Sequence, residues 1–251
     1  MTSINNSIIK QIRLISVGKI KDKFIIEGKK WLNEIPSYIK INYFVVSESF
    51  YSKFLYLNEI SKVYVVKNDV FKKIQTTITT QGIVAVCEKK LYNVNDIKIN
   101  NNAFILMIDN VSDPGNMGTM LRSALAFGCN FVICSKGCVS VYNDKVLRAT
   151  AGAIFRLAVI ENANLNDMCL YLKEKGVKLI GTSSYSNNFH YDINFTSSIC
   201  IIFGNEARGI SHSVSQHCNE LVKIPIIDIE SLNVSVACGI LLHEVLKQRL
   251  M

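Results

Sequence analysis

The sequence predicts an α/β protein in two parts, a small α/β module followed by a larger domain whose mainly parallel sheet is covered by helices on both faces. Three observations point there. From residue 103 onward, short apolar strands alternate with helical segments, the pattern of a parallel sheet with crossover helices. The stretch KKLYNVNDIKINNN at 89–102 is polar, rich in Asn and Lys, and reads as a linker. The charge also changes across it: residues 1–100 hold 16 Lys and Arg against 8 Asp and Glu, whereas residues 101–251 hold 12 against 12. The domains are therefore expected at 1–95 and 103–251.

In the first part, Ile25 to Ile35 has helical spacing, and Asn42 to Val46 and Val63 to Val66 alternate as strands. A helical stretch from Asn68 to Ile74 and a strand from Gly82 to Cys87 complete the module. In the second part the expected order is strand 104–108, helix 116–128, strand 131–134, helix 144–150, strand 156–160, helix 165–175, strand 178–182, strand 199–203, strand 221–224 and helix 233–250. The last helix carries a polar stripe of Ser235, Gly239, His243 and Lys247 beside an apolar face with Val236, Ile240, Leu241 and Val245. Such a face suits a core or a subunit interface.

Composition narrows the class. With 49% apolar residues in 251, the chain can bury a substantial core. Its longest apolar runs, such as Phe104 to Ile108, fall far short of the roughly 20 residues a membrane span needs, and the polar N-terminus lacks a signal-peptide core. A cytoplasmic location follows as the expectation. Eight cysteines without an export signal imply reduced thiols, several of them acting as small hydrophobes. The basic first half suits a polyanionic partner, although a lysine-rich surface also serves solubility alone.

Chemistry in a parallel sheet sits at the carboxyl ends of strands, and three such ends carry unusual loops. After the first buried strand comes DNVSDPGNMGTMLRSALAFG at 109–128. There Asn116 is expected to cap a helix whose second turn projects Arg122, a fixed cation suited to phosphate or carboxylate. An arginine lying along a packed helix is the plainer alternative. The second loop, FGNEARGIS at 203–211, joins Gly204 and Gly209 to the opposite charges of Glu206 and Arg208; a tight turn with a surface ion pair is its plainer form. The third, KIPIIDIESLN at 223–233, offers Ser231 or Asn233 as a helix cap, and a helix N-terminus can also receive polar ligand groups. No zinc spacing, dinucleotide glycine fingerprint, Walker A sequence or nucleophile elbow is present, so no metal is implied.

Taken in order, the loops resemble the SpoU (TrmH-like) family of RNA 2′-O-ribose methyltransferases in the SPOUT superfamily. The resemblance rests on D-N-V-x-D-P-x-N-x-G-x-x-x-R-x-A-x-x-x-G at 109–128, F-G-N-E-x-x-G-I at 203–210 and I-P…S-L-N-V-x-V-A at 224–237. Supporting matches are the stretch from Lys145 through Arg148 to Gly152 and the strand end Gly181-Thr182-Ser183. Phe24-Ile-Ile-Glu27-Gly28 and Thr80-Gln81-Gly82 are similar to the small substrate-binding module that often precedes the catalytic domain. The chain departs from the pattern at 226–230, which has no glycine and is one residue shorter.

The resemblance implies a deep trefoil knot near the C-terminus, a homodimer, and S-adenosylmethionine bound against Thr182, Ser183, Gly204, Ile224 and Leu232. It also implies methyl transfer to a ribose 2′-hydroxyl of RNA, with ribosomal RNA the first expectation and transfer RNA the second. Arg122 takes the central catalytic place, with Asn116, Glu206, Ser231 and Asn233 arranging the site. A guanidinium with a pKa above about 12 is a poor proton acceptor. Arg122 is therefore read as a clamp on the neighbouring phosphate that also stabilises the forming alkoxide, with base action as the rival. Two other classes stay open at this point, a non-catalytic RNA-binding protein and a nicotinamide-dependent oxidoreductase. The intact polar residues weigh against the first, and the missing glycine fingerprint against the second.

Overall fold

The computed structural model describes residues 7–32, 34–77 and 80–251. Packing divides them into two units. One holds the chain up to Leu91 together with Tyr142–Leu147, and the other holds Tyr92–Val141 and Arg148–Met251.

The first unit runs α1 (Ser7–Ser16), β1 (Lys23–Glu27), α2 (Lys29–Leu32), β2 (Ile41–Ser47), β3 (Val63–Val66), α3 (Asn68–Phe71) and β4 (Ile83–Glu88). Its sheet has the order β1-β4-β2-β3, with β4 antiparallel to both neighbours and β3 parallel to β2. Helix α1 adds to the expected elements: Ile9, Ile12 and Ile15, at helical spacing, put one apolar stripe into the core beside Val45, Val84 and Val86. A 3-10 stretch at Glu48–Glu59 was likewise unforeseen. The helix expected over Ile25 to Ile35 is instead strand β1 followed by the single turn α2, with Asn33 outside the described residues. Phe24, Ile25 and Ile26 pair with β4, and Gly28, at φ +100°, ends the strand. The Glu27 carboxylate accepts hydrogen bonds from the amides and hydroxyls of Thr76 and Thr77 and from the Thr80 hydroxyl. Gln81 in turn accepts from the Lys29 amide, so the two short motifs of this unit are halves of one joint.

In the second unit follow β5 (Phe104–Ile108), α4 (Pro114–Ala126), β6 (Phe131–Ser135), then, past α5 (Asp144–Ala149), most of which is grouped with the first unit, β7 (Ala158–Ala163), α6 (Leu165–Glu174), β8 (Lys178–Thr182), β9 (Ile199–Phe203), α7 (His212–Ser215), β10 (Glu220–Val222) and α8 (Val234–Leu250). The six strands lie in the order β10-β8-β9-β5-β6-β7, and every pair is parallel. Strand β7 starts later than expected because Ala153–Phe155 closes a 3-10 turn. The segment expected as a linker is not idle: Tyr92, Val94, Ile97 and Ile99 pack on the core of this unit.

Both faces of the sheet are covered. Ile105, Met107, Ile133, Leu179 and Ile202 share one core with Met168, Cys169 and Leu172 of α6 and Val214 of α7. The alternate residues Phe104, Leu106 and Ile108 point the other way, toward α4 and α8. These two helices run side by side in the same direction, since Asn116 meets Asn233 at one end and the Phe127 and His243 rings lie 5.7 Å apart at the other. The buried face of α8 is Cys238, Leu241, Leu242 and Val245. Ser235 is buried at the helix start, while Val236 and Ile240 are 51% and 36% exposed, so the expected stripe and face are partly exchanged.

All eight cysteines are free thiols, and most are buried. Among the described residues no helix is long and apolar enough to cross a membrane.

Chain order reverses between β5 and β9, which leaves a crevice at their carboxyl ends. Near the other end of the unit, Arg249 donates to the carbonyls of Phe195 (3.0 Å), Asn102 (2.8 Å) and Ser197 (2.6 Å), with its carbon 5.2 Å from the Phe104 ring centre. Replacing it strands several carbonyls at once. Arg249→Ala should lower unfolding free energy in urea by about 2 kcal/mol, and lysine, a point charge without the fork, should recover little of it.

Candidate active site

The site is built from the carboxyl end of β5 outward. Asp109 is buried, accepting from the Asn110 side chain at 2.7 Å and from the Ser211 amide at 2.9 Å. Asn110 adopts φ +57°, and its amide donates to Ser135 at 2.9 Å. Its side chain fills the space over Gly137, where a Cβ would come within 1.6 Å of its oxygen. Beside them Cys138 donates to the Ile108 carbonyl at 3.4 Å. The neighbouring Cys134 thiol stabilises the Cys138 thiolate by a hydrogen bond, and the Cys138 pKa falls to about 7 although burial opposes this.

Helix α4 begins two residues earlier than the sequence suggested, and its cap lies three residues earlier. Asp113 is its cap, accepting from the Asn116 amide at 2.7 Å, with Pro114 as the first helical residue. Asn116 is thereby relieved of capping, and its side chain serves two other loops. Its nitrogen donates to Glu206 at 2.9 Å, and its oxygen accepts from Asn233 at 2.9 Å. Asn233 is the cap of α8, accepting from the Ser235 amide at 2.9 Å and hydroxyl at 2.6 Å. Ser231 does not cap it.

Glu206 is held by the loop after β9. Asn205 and Gly209 exchange backbone hydrogen bonds of 3.0 and 2.8 Å, and the Asn205 side chain donates to the Asn110 carbonyl at 2.9 Å. A Cβ on Gly204 would lie 2.0 Å from the Gly209 carbonyl carbon, so only glycine allows this close approach. The expected Glu206–Arg208 ion pair is not formed; Glu206 bonds Asn116 and Asn205 instead.

These loops wall a cavity of about 440 Å³. Thr182, Ser183, Gly204, Ile224 and Leu232 all line it, as do Glu206 and Ser231, with Asn116 and Asn233 tied to Glu206. Arg122 stands apart: it is exposed on α4, outside the lining, and makes no hydrogen bond or ion pair among the described residues. The sequence reading also passed over Tyr185, Lys223 and Glu230, which border the same cavity. Lys223 opens the third loop and Glu230 lies within it, and only their place beside a ligand space gives them meaning. In the glycine-less loop, Asp228 takes φ +64°, a left-handed conformation that an aspartate tolerates better than most side chains. Among the described residues no cluster of His, Cys, Asp and Glu could hold a metal ion.

Residues 103–243 match the family model of the SpoU rRNA methylase family. The chain belongs to that family. It is 37% identical over 177 residues to the 23S rRNA (guanosine-2'-O-)-methyltransferase RlmB of Coxiella burnetii, covering 67% of this chain and 70% of that one. It is 34% identical over 184 residues to the 23S rRNA (guanosine(2553)-2'-O)-methyltransferase RlmP of Bacillus subtilis, covering 72% and 71%. Among solved structures, the S-adenosylmethionine-bound rRNA methyltransferase of Sinorhizobium meliloti superposes with a TM-score of 0.85 at 25% identity, covering 98% of this chain and 97% of that one. As a SpoU methylase, the chain has an α/β fold with the six-stranded parallel sheet of its structural neighbours.

Two outcomes follow from the packing. Gly204→Ala should cost about 2–3 kcal/mol in urea unfolding, since its Cβ meets backbone rather than a side chain that can turn aside. Iodoacetamide should alkylate Cys138 ahead of the other thiols, with a rate that levels off above pH 7 to 8 in peptide mapping by mass spectrometry. A rate still climbing at pH 9 would mark an ordinary thiol.

Proposed function

We propose that the chain transfers the methyl group of S-adenosylmethionine to a ribose 2′-hydroxyl of RNA, with large-subunit ribosomal RNA as the substrate and transfer RNA as the second choice. One observation carries the reading. Asn116, Glu206 and Asn233, from three separate segments, meet beside a cavity at the carboxyl ends of β8, β9 and β10 in a SpoU-family chain. The 37% and 34% identities to enzymes named for 23S rRNA 2'-O-methylation support the RNA assigned.

The residues present fit the cofactor. At about 440 Å³ the cavity is in the range of small-molecule sites. Its lining has both carboxylates, Glu206 and Glu230, and cations, Arg208 and Lys223, beside apolar Ile224, Ile226 and Leu232. That mixture suits a ligand with a sulfonium, an ammonium and a carboxylate on an apolar frame. The backbones of Ile224 and Leu232 make no hydrogen bond among the described residues and are available to a nucleobase. Thr182 and Ser183 line the same wall, and Gly204 leaves it open.

S-adenosylmethionine, when bound, supplies an electrophilic methyl on a positively charged sulfur. The protein aligns the ribose oxygen and eases loss of its proton. Asn116, Glu206 and Asn233 hold the loops and orient the hydroxyl, with Ser231 beside them. Arg122 clamps the adjoining phosphate and stabilises the oxygen as its charge grows. The basic first unit binds the RNA strand, and its charge brings the polyanion in.

Arg122 lies outside the cavity of its own chain, on the exposed face of α4 beside α8, whose Val236 and Ile240 are also exposed. We assign that face to a second copy, so that Arg122 of each chain serves the cavity of its partner. The chain's return from β10, past β8 and β9, to the start of α8 is the segment assigned to the trefoil knot. A ribosomal RNA substrate supports a cytoplasmic location for the enzyme, and no described helix is long and apolar enough to cross a membrane.

Mapping 2′-O-methyls in ribosomal and transfer RNA from cells with and without the gene should show one ribose that loses its methyl. An unchanged map would end the proposal. Arg122→Ala should abolish transfer while the affinity for S-adenosylmethionine, measured calorimetrically, stays within about twofold. Mixing Arg122→Ala chains with Glu206→Ala chains should restore part of the rate if the site is shared between copies, and none if it is not.

A further inference from the structure

The turn after β8 carries an exposed aromatic ring at the mouth of the cavity. Tyr185 is 95% exposed at the cavity rim, and neither its ring nor its hydroxyl has a partner among the described residues. Its backbone is nevertheless held. The Tyr185 amide donates to Ser183 at 3.3 Å, the Ser186 hydroxyl donates to the Leu221 carbonyl at 2.6 Å, and the Asn188 amide donates to Ser186 at 3.1 Å. A large ring on a pinned turn loses little freedom on meeting a flat partner.

The turn continues into a strip of the same character. Ser184, Asn187 and Asn188 are exposed, and Tyr191, 50% exposed, stacks on Phe189 with centroids 5.3 Å apart and planes 16° apart. Lys223, from the edge of the cavity, sits 5.2 Å from the Phe189 ring centre on the other strand of the bridge Phe189–Lys223. Residues 184–191 contain no acidic side chain; Asp192 follows them. Rings, side-chain amides and an ammonium at the mouth of one cavity offer a π-face, base-edge partners and a phosphate counter-charge. Those are the groups that hold unstacked nucleotides, and the serine, side-chain amides and ammonium among the rings favour RNA over a protein partner, whose interfaces are depleted in Lys and Ser.

We infer that residues 184–191 with Lys223 form an RNA-contact strip in the second unit itself, in which Tyr185 stacks on an unpaired base next to the nucleotide whose ribose enters the site. The inference rests on the methyl-transfer reading and adds to it. The first unit would supply sequence-independent attraction, and this strip would hold single-stranded substrate at the cavity. A flexible loop or bulge would then be favoured over a duplex, whose bases are unavailable for stacking.

The test uses the full chain, an unmodified in vitro transcript of 23S ribosomal RNA, and labelled S-adenosylmethionine, with both affinities measured for each variant. Tyr185→Ala should weaken transcript binding about fivefold to a hundredfold, the span seen when a base-stacking ring is truncated. Tyr185→Phe should bind within about twofold of the parent, because stacking needs the ring and not the hydroxyl. Tyr191→Ala should weaken binding in the same direction, and cofactor affinity should not move in any of them. Unchanged transcript affinity in Tyr185→Ala would overturn the inference. So would a parallel loss of cofactor affinity, which would make the ring a cover for the cavity, or a shift to monomer in sedimentation, which would make it a subunit contact. If the parent chain binds S-adenosylmethionine but no RNA, or neither, the methyl-transfer reading fails with it, a result distinct from failure of the Tyr185 variants alone.

Discussion

The hydrogen bonds Asn233–Asn116–Glu206 have a direction that cannot be reversed, and the arrangement of the site follows from it. The Asn233 oxygen is committed to the amide and hydroxyl of Ser235 at the head of α8. Only its nitrogen remains to reach Asn116, which must answer with oxygen. The Asn116 nitrogen is then turned to Glu206, whose carboxylate can only accept. A helix cap at one end therefore fixes the orientation of two side chains beyond it. Aspartate at 116 would set two carboxylates face to face, and the chain of donors would break at that point.

The sheet explains why three distant segments meet there. Strands β5 and β9 are neighbours although most of the unit's sequence separates them, and their carboxyl ends bring Asn110 and Asn205 within hydrogen-bonding distance. From β10, at the far edge, the chain has to come back past β8 and β9 before α8 can start beside α4. The returning stretch forms one wall of the cavity, so the cavity is a product of strand order. Gly204 is needed because the loop on the opposite wall folds back on itself with backbone against backbone.

The second unit was largely readable because its strands are continuous apolar runs and its motifs sit at their ends. Strand order was not readable, since the pattern gives no sign that β9 lies beside β5. The first unit was harder. Lys23–Glu27 is a strand in a stretch whose apolar spacing also fits a helix, and pairing with β4 decides between them. Helix α1 carries its own signal, Ile9, Ile12 and Ile15 at helical spacing, which the expectations for the first unit did not include. At the site, local rules favoured Asn116 as the cap of α4, because a cap is the commonest use of Asn at a helix start. Asp113 took that place and left Asn116 for the long-range contacts. Tyr185 left no local signal, since a tyrosine in a polar turn becomes notable only once the cavity beside it is known. The α8 face misread its exposed positions for a similar reason: periodicity gives a stripe, but α4 decides which part of it is covered.

The hydrogen bond between Asn116 and Asn233 closes a loop of more than a hundred residues, and the side chains that make it are exposed. Closing so long a loop carries an entropy cost that no local contact offsets, so this junction forms late in folding, after the strands have paired. By the same reasoning it is among the first places to open in a destabilised chain. Amide exchange at the head of α8 would then run ahead of exchange in β5 and β9. A mildly destabilised variant would keep its circular-dichroism spectrum while its loops had already come apart, and conventional melting curves would overstate the temperature range over which it works.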